Sequence, residues 1–124
     1  MDRLLILMYH MVCDPQTERE KRYACPPIRF AQHMNLLACS PYNVVSMDQV
    51  NTFIADKTTL PQCSVSITFD DGFRDNYEQA FPILQKHNFP ATIFLSTGMI
   101  DGSNKWMADN DYPSRPMLNW DQIE

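Results

Sequence analysis

In the run "SVSITFDDGF", Ser64 to Phe73, strand-forming residues end in two adjacent carboxylates. Ionised Asp70 and Asp71 repel each other, and strand formation gives no reason for the pair. Asp-Gly suits a hairpin turn, but the segment after Gly72 has helical periodicity, not that of a returning strand. An aspartate near a helix N-terminus accepts backbone N–H bonds and suits the dipole, which accounts for one of the two. A pair can divide its labour. Side chains of neighbouring residues diverge at a strand end, so one can ligate a metal while the other acts as general base toward water. A metal cation would also remove the mutual repulsion. His10, which closes the first apolar run, falls at the same edge. A lone histidine there is more often a partly buried structural residue than a catalyst, and position alone does not make it part of a site.

These residues need elements to hold them. "LLILMYH", Leu4 to His10, is a continuous apolar run, as expected of a strand covered on both faces. After the charged loop "TEREKR" and Pro26-Pro27, Phe30, Met34, Leu37 and Ala38 recur at helical steps. "YNVVSM" predicts a short strand. Ser46 and Gln49 then form a capping-box pair for a helix carrying Val50, Phe53 and Ile54. "SVSITF" alternates and is rich in β-branched residues, predicting a third strand. A helix with Tyr77, Ala80, Phe81 and Leu84 on one stripe begins before or at Pro82. His33 and His87 lie in helices and read as surface residues. "ATIFLS" is a fourth strand, and residues 98–118 read as a long loop. Asn119 and Gln122 are placed as cap and box for a last helix, with Trp120 and Ile123 opening its apolar stripe.

The β-α-β-α-β-α-β order implies parallel strands joined by right-handed crossovers, with Asp70 and Asp71 at the carboxyl edge where α/β folds place their sites. A final helix of about one turn is marginal alone. The pattern therefore predicts one domain, residues 1–124, that is the first half of something larger.

Composition narrows the function classes. The 124 residues are 44% hydrophobic and 20% charged, which is globular rather than disordered. A net charge of -5 argues against a nucleic-acid or anionic-membrane binder. No apolar run approaches the roughly 20 residues of a membrane span. The stretch Leu4–Met8 is short for a secretory leader and follows an acid, so the expectation is a cytoplasmic chain. Its four scattered cysteines lack a C-x-x-C pair and are then reduced thiols.

"ITFDDGF", followed by "PILQKHNFPATIFL" and "LNWDQIE", resembles the polysaccharide deacetylases, carbohydrate esterases with a NodB-type domain. "ILMYHMV" is similar to the opening of a subgroup with permuted motif order. The resemblance implies the N-terminal portion of an irregular (β/α) barrel and hydrolysis of N-acetyl groups on an amino-sugar polymer or precursor. By position it implies Asp70 as general base, Asp71 as ligand of a divalent metal such as zinc, and His10 as general acid. The family's His-x-x-x-His metal motif does not occur in these residues. The three histidines, 10, 33 and 87, are not spaced to supply it. One carboxylate does not hold zinc, which takes three or four protein ligands. The expectation is therefore a partial domain, truncated before that motif and inactive alone. The competing reading is a non-catalytic module that binds a saccharide or a partner, or self-associates through an open sheet edge. A phosphoacceptor receiver domain also uses paired aspartates, but its order of acidic strand ends and lysine is absent. Trp106, in the long loop, could stack on a sugar ring, although a loop tryptophan is more often an anchor.

Overall fold

Alternating sheet and helix periods build the α/β chain that the sequence predicts. The computed structural model describes residues 3–124. Its elements are β1 (Leu4–Tyr9), α1 (Pro27–Ala38), β2 (Asn43–Val44), α2 (Met47–Ile54), β3 (Ser64–Asp71), α3 (Phe81–His87), β4 (Thr92–Leu95) and α4 (Trp120–Ile123), with a π-turn over Asn76–Ala80 and short 3-10 turns between. Both predicted capping boxes form: Ser46 with Gln49 at α2, and Asn119 with Gln122 at α4.

All strand pairs are parallel and all involve β3. Strand β1 pairs along it from Leu4↔Ser64 to Tyr9↔Phe69. On its other side β2 meets the first two residues and β4 the last four, from Thr68↔Thr92 to Asp71↔Leu95. The sheet is open, with β1 and β4 each paired on one side only among the described residues.

The two faces of the sheet differ. Ile67 and Phe69 of β3 pack with Phe30 and Met34 of α1 and Leu84 of α3 in the main core. A second cluster, Met11, Phe73, Met107 and Met117, fastens the loops at the carboxyl edge. The opposite face carries Ser64, Ser66 and Thr68, small and buried, between larger neighbours. Strand alternation puts Ile6, Met8 and Phe94 beside them, 53%, 62% and 52% exposed. Leu5 of β1 is 44% exposed as well, so a first strand covered on both faces is not what forms. Its apolar run reflects a sheet with one helical layer among the described residues. The predicted stripe before α3 also splits: Ala80 and Leu84 are buried, whereas Tyr77 and Phe81 stack on each other and stay half exposed. The π-turn at Asn76–Ala80 has a wider repeat than the α-helix and rotates these two residues off the core side.

Candidate active site

Strand β3 ends in an unusual backbone. Asp71 and Gly72 both have φ of 80°, a left-handed conformation that non-glycine residues seldom adopt. A side chain at position 72 would be strained, both by the positive φ and because a Cβ there would stand 2.9 Å from Leu95 Cδ2. The bend is held on both sides. Ser96 N–H donates to the Asp71 carbonyl at 3.1 Å, and Leu118 N–H donates to the Gly72 carbonyl at 2.9 Å. The chain thus leaves the sheet with the two aspartates at its rim.

His10 is brought to the same rim because β1 and β3 run in register, Tyr9 opposite Phe69. The next residues, His10 and Asp70, face each other, with His10 Nε2 3.8 Å from Asp70 Oδ2. That is an ion-pair distance, longer than a hydrogen bond. His10 also makes an edge contact with the Tyr23 ring at 5.2 Å. Its neighbour does the opposite job. Tyr9 packs against Phe30 and Phe69, and its hydroxyl lies 2.9 Å from His33 Nδ1. Burial, then the nearby Cys25, pushes the Tyr9 hydroxyl up to about 12. The Tyr-His pair therefore sends one side chain into the core and one to the rim.

A cleft of about 460 Å³ opens there, its lining including His10, Asp71, Tyr23, Phe73, Trp106 and Tyr112. Burial raises the Asp71 carboxyl above its ordinary value; His10 opposes this and Asp70 adds to it. Trp106 is 43% exposed and rests against Phe73, with ring centroids 6.0 Å apart, so it is both anchored and available to the cleft. Of the other histidines, His33 is half buried against Tyr9 and His87, partly exposed, stacks on Phe89.

The walls of the cleft come from two segments read from sequence as polar loops. Glu20, inside "TEREKR", is fully buried and takes both Arg115 Nε (2.9 Å) and Nη2 (2.6 Å). Burial works to raise its carboxyl, but the Arg115 bonds and the Gln16 N–H outweigh this and hold it below the usual range. The pair spans 95 residues and ties the loop after β1 to the segment before α4. No local periodicity marks such a contact. A glutamate in a charged run gives no signal of burial.

The donor set for a metal is incomplete among the described residues. Asp71 offers one carboxylate at the cleft, and no group of three or more His, Cys, Asp or Glu side chains could hold an ion. The four cysteines are free thiols rather than ligands in a cluster. Burial, then the nearby Asp75, pushes the Cys13 thiol up to about 12, so it resists ionisation.

Comparison with known proteins is consistent across sequence and structure. The family model for polysaccharide deacetylase matches residues 57–122. YxkH of Bacillus subtilis (strain 168), which carries a polysaccharide deacetylase name, is 36% identical over 94 residues, covering 75% of this chain and 32% of that protein. The poly-beta-1,6-N-acetyl-D-glucosamine N-deacetylase of Staphylococcus epidermidis is 45% identical over 49 residues, 40% of this chain and 17% of the relative. Among solved structures, IcaB from Ammonifex degensii superposes with a TM-score of 0.82 at 29% identity, covering 99% of this chain and 47% of that one. The chain spans about a third or less of these curated relatives and about half of the solved structure. The open parallel sheet thus matches part of a deacetylase barrel. The chain belongs to the polysaccharide deacetylase family.

Proposed function

We propose that this chain carries the acid–base part of an amino-sugar deacetylase site, acting on an N-acetylglucosamine polymer of the kind named for its staphylococcal relatives. The observation that carries the reading is the meeting of His10 and Asp70 at 3.8 Å, at the rim of a cleft that Asp71 also lines. Asp70 accepts a proton from the water that adds to the acetamide carbonyl. His10, protonated, gives its proton to the nitrogen as the C–N bond breaks, releasing acetate and the free amine. Polysaccharide deacetylases are generally metal-dependent. We assign Asp71 as one ligand of a divalent metal, with zinc the expectation from sequence and the other donors supplied from outside the described residues.

The test is turnover by the 124 residues on β-1,6-linked N-acetylglucosamine oligomers, with zinc, cobalt or nickel added. No acetate should be released, because one carboxylate does not hold the metal. Acetate release that disappears in Asp70→Asn would keep the base and overturn the incomplete site. Release that survives Asp70→Asn would overturn the role of Asp70.

A second reading is favoured by the exposed face of the sheet, where Ile6 and Met8 of β1 and, across β3, Phe94 of β4 are each more than half exposed. A module associating with a second copy would bury that face. Sedimentation equilibrium separates the two: a dimer abolished by Met8→Lys supports association, and a monomer at all concentrations rejects it.

A further inference from the structure

We propose that Asp75 and Asn76 are positioning residues for His10, fixing the backbone on both sides of Met11 and so setting where the imidazole lies. The inference rests on the reading of His10 as the acid, but its test does not require a sugar or a metal.

The regular pairing of β1 with β3 ends at Tyr9. His10 is the first residue beyond it, so the ladder does not hold its carbonyl. Two adjacent side chains from the start of the π-turn take over. Asn76 Nδ2 donates to the His10 carbonyl at 2.7 Å and to Asp75 Oδ1 at 3.1 Å. Asp75 Oδ1 in turn accepts from Val12 N–H at 2.8 Å. Between these points Met11 N–H donates to the Tyr23 carbonyl, and Cys25 N–H donates to the Met11 carbonyl, each at 2.9 Å. Four consecutive backbone groups, from the His10 carbonyl to the Val12 N–H, therefore have partners. The Met11 and Val12 side chains are fully buried beneath them.

The same strand-to-helix connection that presents Asp70 and Asp71 thus also grips the residue facing them. Only three residues separate Asp71 from Asp75, so the carboxylates and the clamp belong to one connection. Asn76 is 2% exposed, so both of the bonds that its amide donates are formed away from solvent.

The experiment is NMR on the isotope-labelled 124-residue chain. The wild type should show nuclear Overhauser contacts between the His10 and Tyr23 rings, which lie 5.2 Å apart. In Asn76→Ala these contacts should fall severalfold, and the His10 ring protons should move toward free-histidine positions. Asp75→Asn keeps an acceptor for Val12 N–H and should retain both signatures, whereas Asp75→Leu should lose them. Leu84→Ala, a buried change on the helix face of the core, destabilises the chain but should leave His10 as it is. Should Asn76→Ala not fold, Asn76→Ser, which shortens the donor, should show a partial loss. Unchanged His10 signals in a folded Asn76 variant, or an equal loss in Leu84→Ala, would overturn the assignment.

Discussion

Strand β3 serves two purposes along its length, and its two parts obey different rules. From Ser64 to Phe69 it is regular, paired with β1 throughout and buried. From Asp70 to Gly72 it is partly exposed at the aspartates, charged, and bent through two left-handed residues. The first part gains stability from burial; the second holds repelling charges in a backbone conformation that is costly for Asp71. Stability is thus concentrated in the body of the strand, and the chemistry sits at its end.

Substitutions test that division, beginning with the body. Ile67 is fully buried between α1 and α3, so Ile67→Ala should lower the unfolding free energy by about 2–5 kcal/mol in urea denaturation. A change of under about 1 kcal/mol would mean that the core is not where the strand is held.

The next effect is pH-dependent and lies just past the strand end. Burial raises the Asp75 carboxyl to about 6, opposed by its bond from Val12 N–H and by Arg115, Asn76 and Cys13. A carboxyl whose folded value exceeds its unfolded one disfavours folding once it ionises. Its cost is absent below about pH 4, grows between about pH 4 and 6, and is constant above that. Asp75→Asn should therefore be up to roughly 3 kcal/mol more stable than wild type at pH 7, with the gap closing below pH 4. A gap that is constant with pH would contradict the buried, raised carboxyl.

Gly72→Ala addresses the bend itself. The added methyl meets Leu95 Cδ2 and the residue keeps a positive φ, so the loss should be about 1–3 kcal/mol by thermal or urea unfolding. No loss would show that the bend relaxes freely. The smallest effect belongs to the charges. Asp70→Asn should change stability by about 0.5 kcal/mol or less, because Asp70 faces His10 beyond hydrogen-bond length and remains partly exposed. A loss of several kcal/mol would make Asp70 a structural residue.

Legibility in the sequence depended on the range of each interaction. Local signals read well. The capping boxes at Ser46 and Asn119 depend on residues three apart, and both formed. The Asp70-Asp71-Gly72 run stood out because it broke a strand pattern, and it lies at the end of β3 as expected. Its partner was harder to see. That His10 faces Asp70 depends on the parallel register of two strands some sixty residues apart, which the pattern of elements placed at one edge but could not pair. The buried Glu20–Arg115 pair and the Asp75–Asn76 clamp join distant segments through single side chains, and no spacing announces them. The π-turn at Asn76–Ala80 displaced Tyr77 and Phe81 from their predicted stripe, because one widened turn resets a helical phase.

The ends of β1 and β3 meet at one rim, His10 facing Asp70, which we propose as an amino-sugar site. The most direct test is titration of the 15N-labelled chain with β-1,6-linked N-acetylglucosamine oligomers, followed residue by residue. Saturable shifts confined to the cleft, at His10, Asp71, Tyr23 and the Trp106 indole N–H, are the predicted result. The absence of saturable shifts, or shifts centred on Ile6 and Met8 of β1, would contradict it.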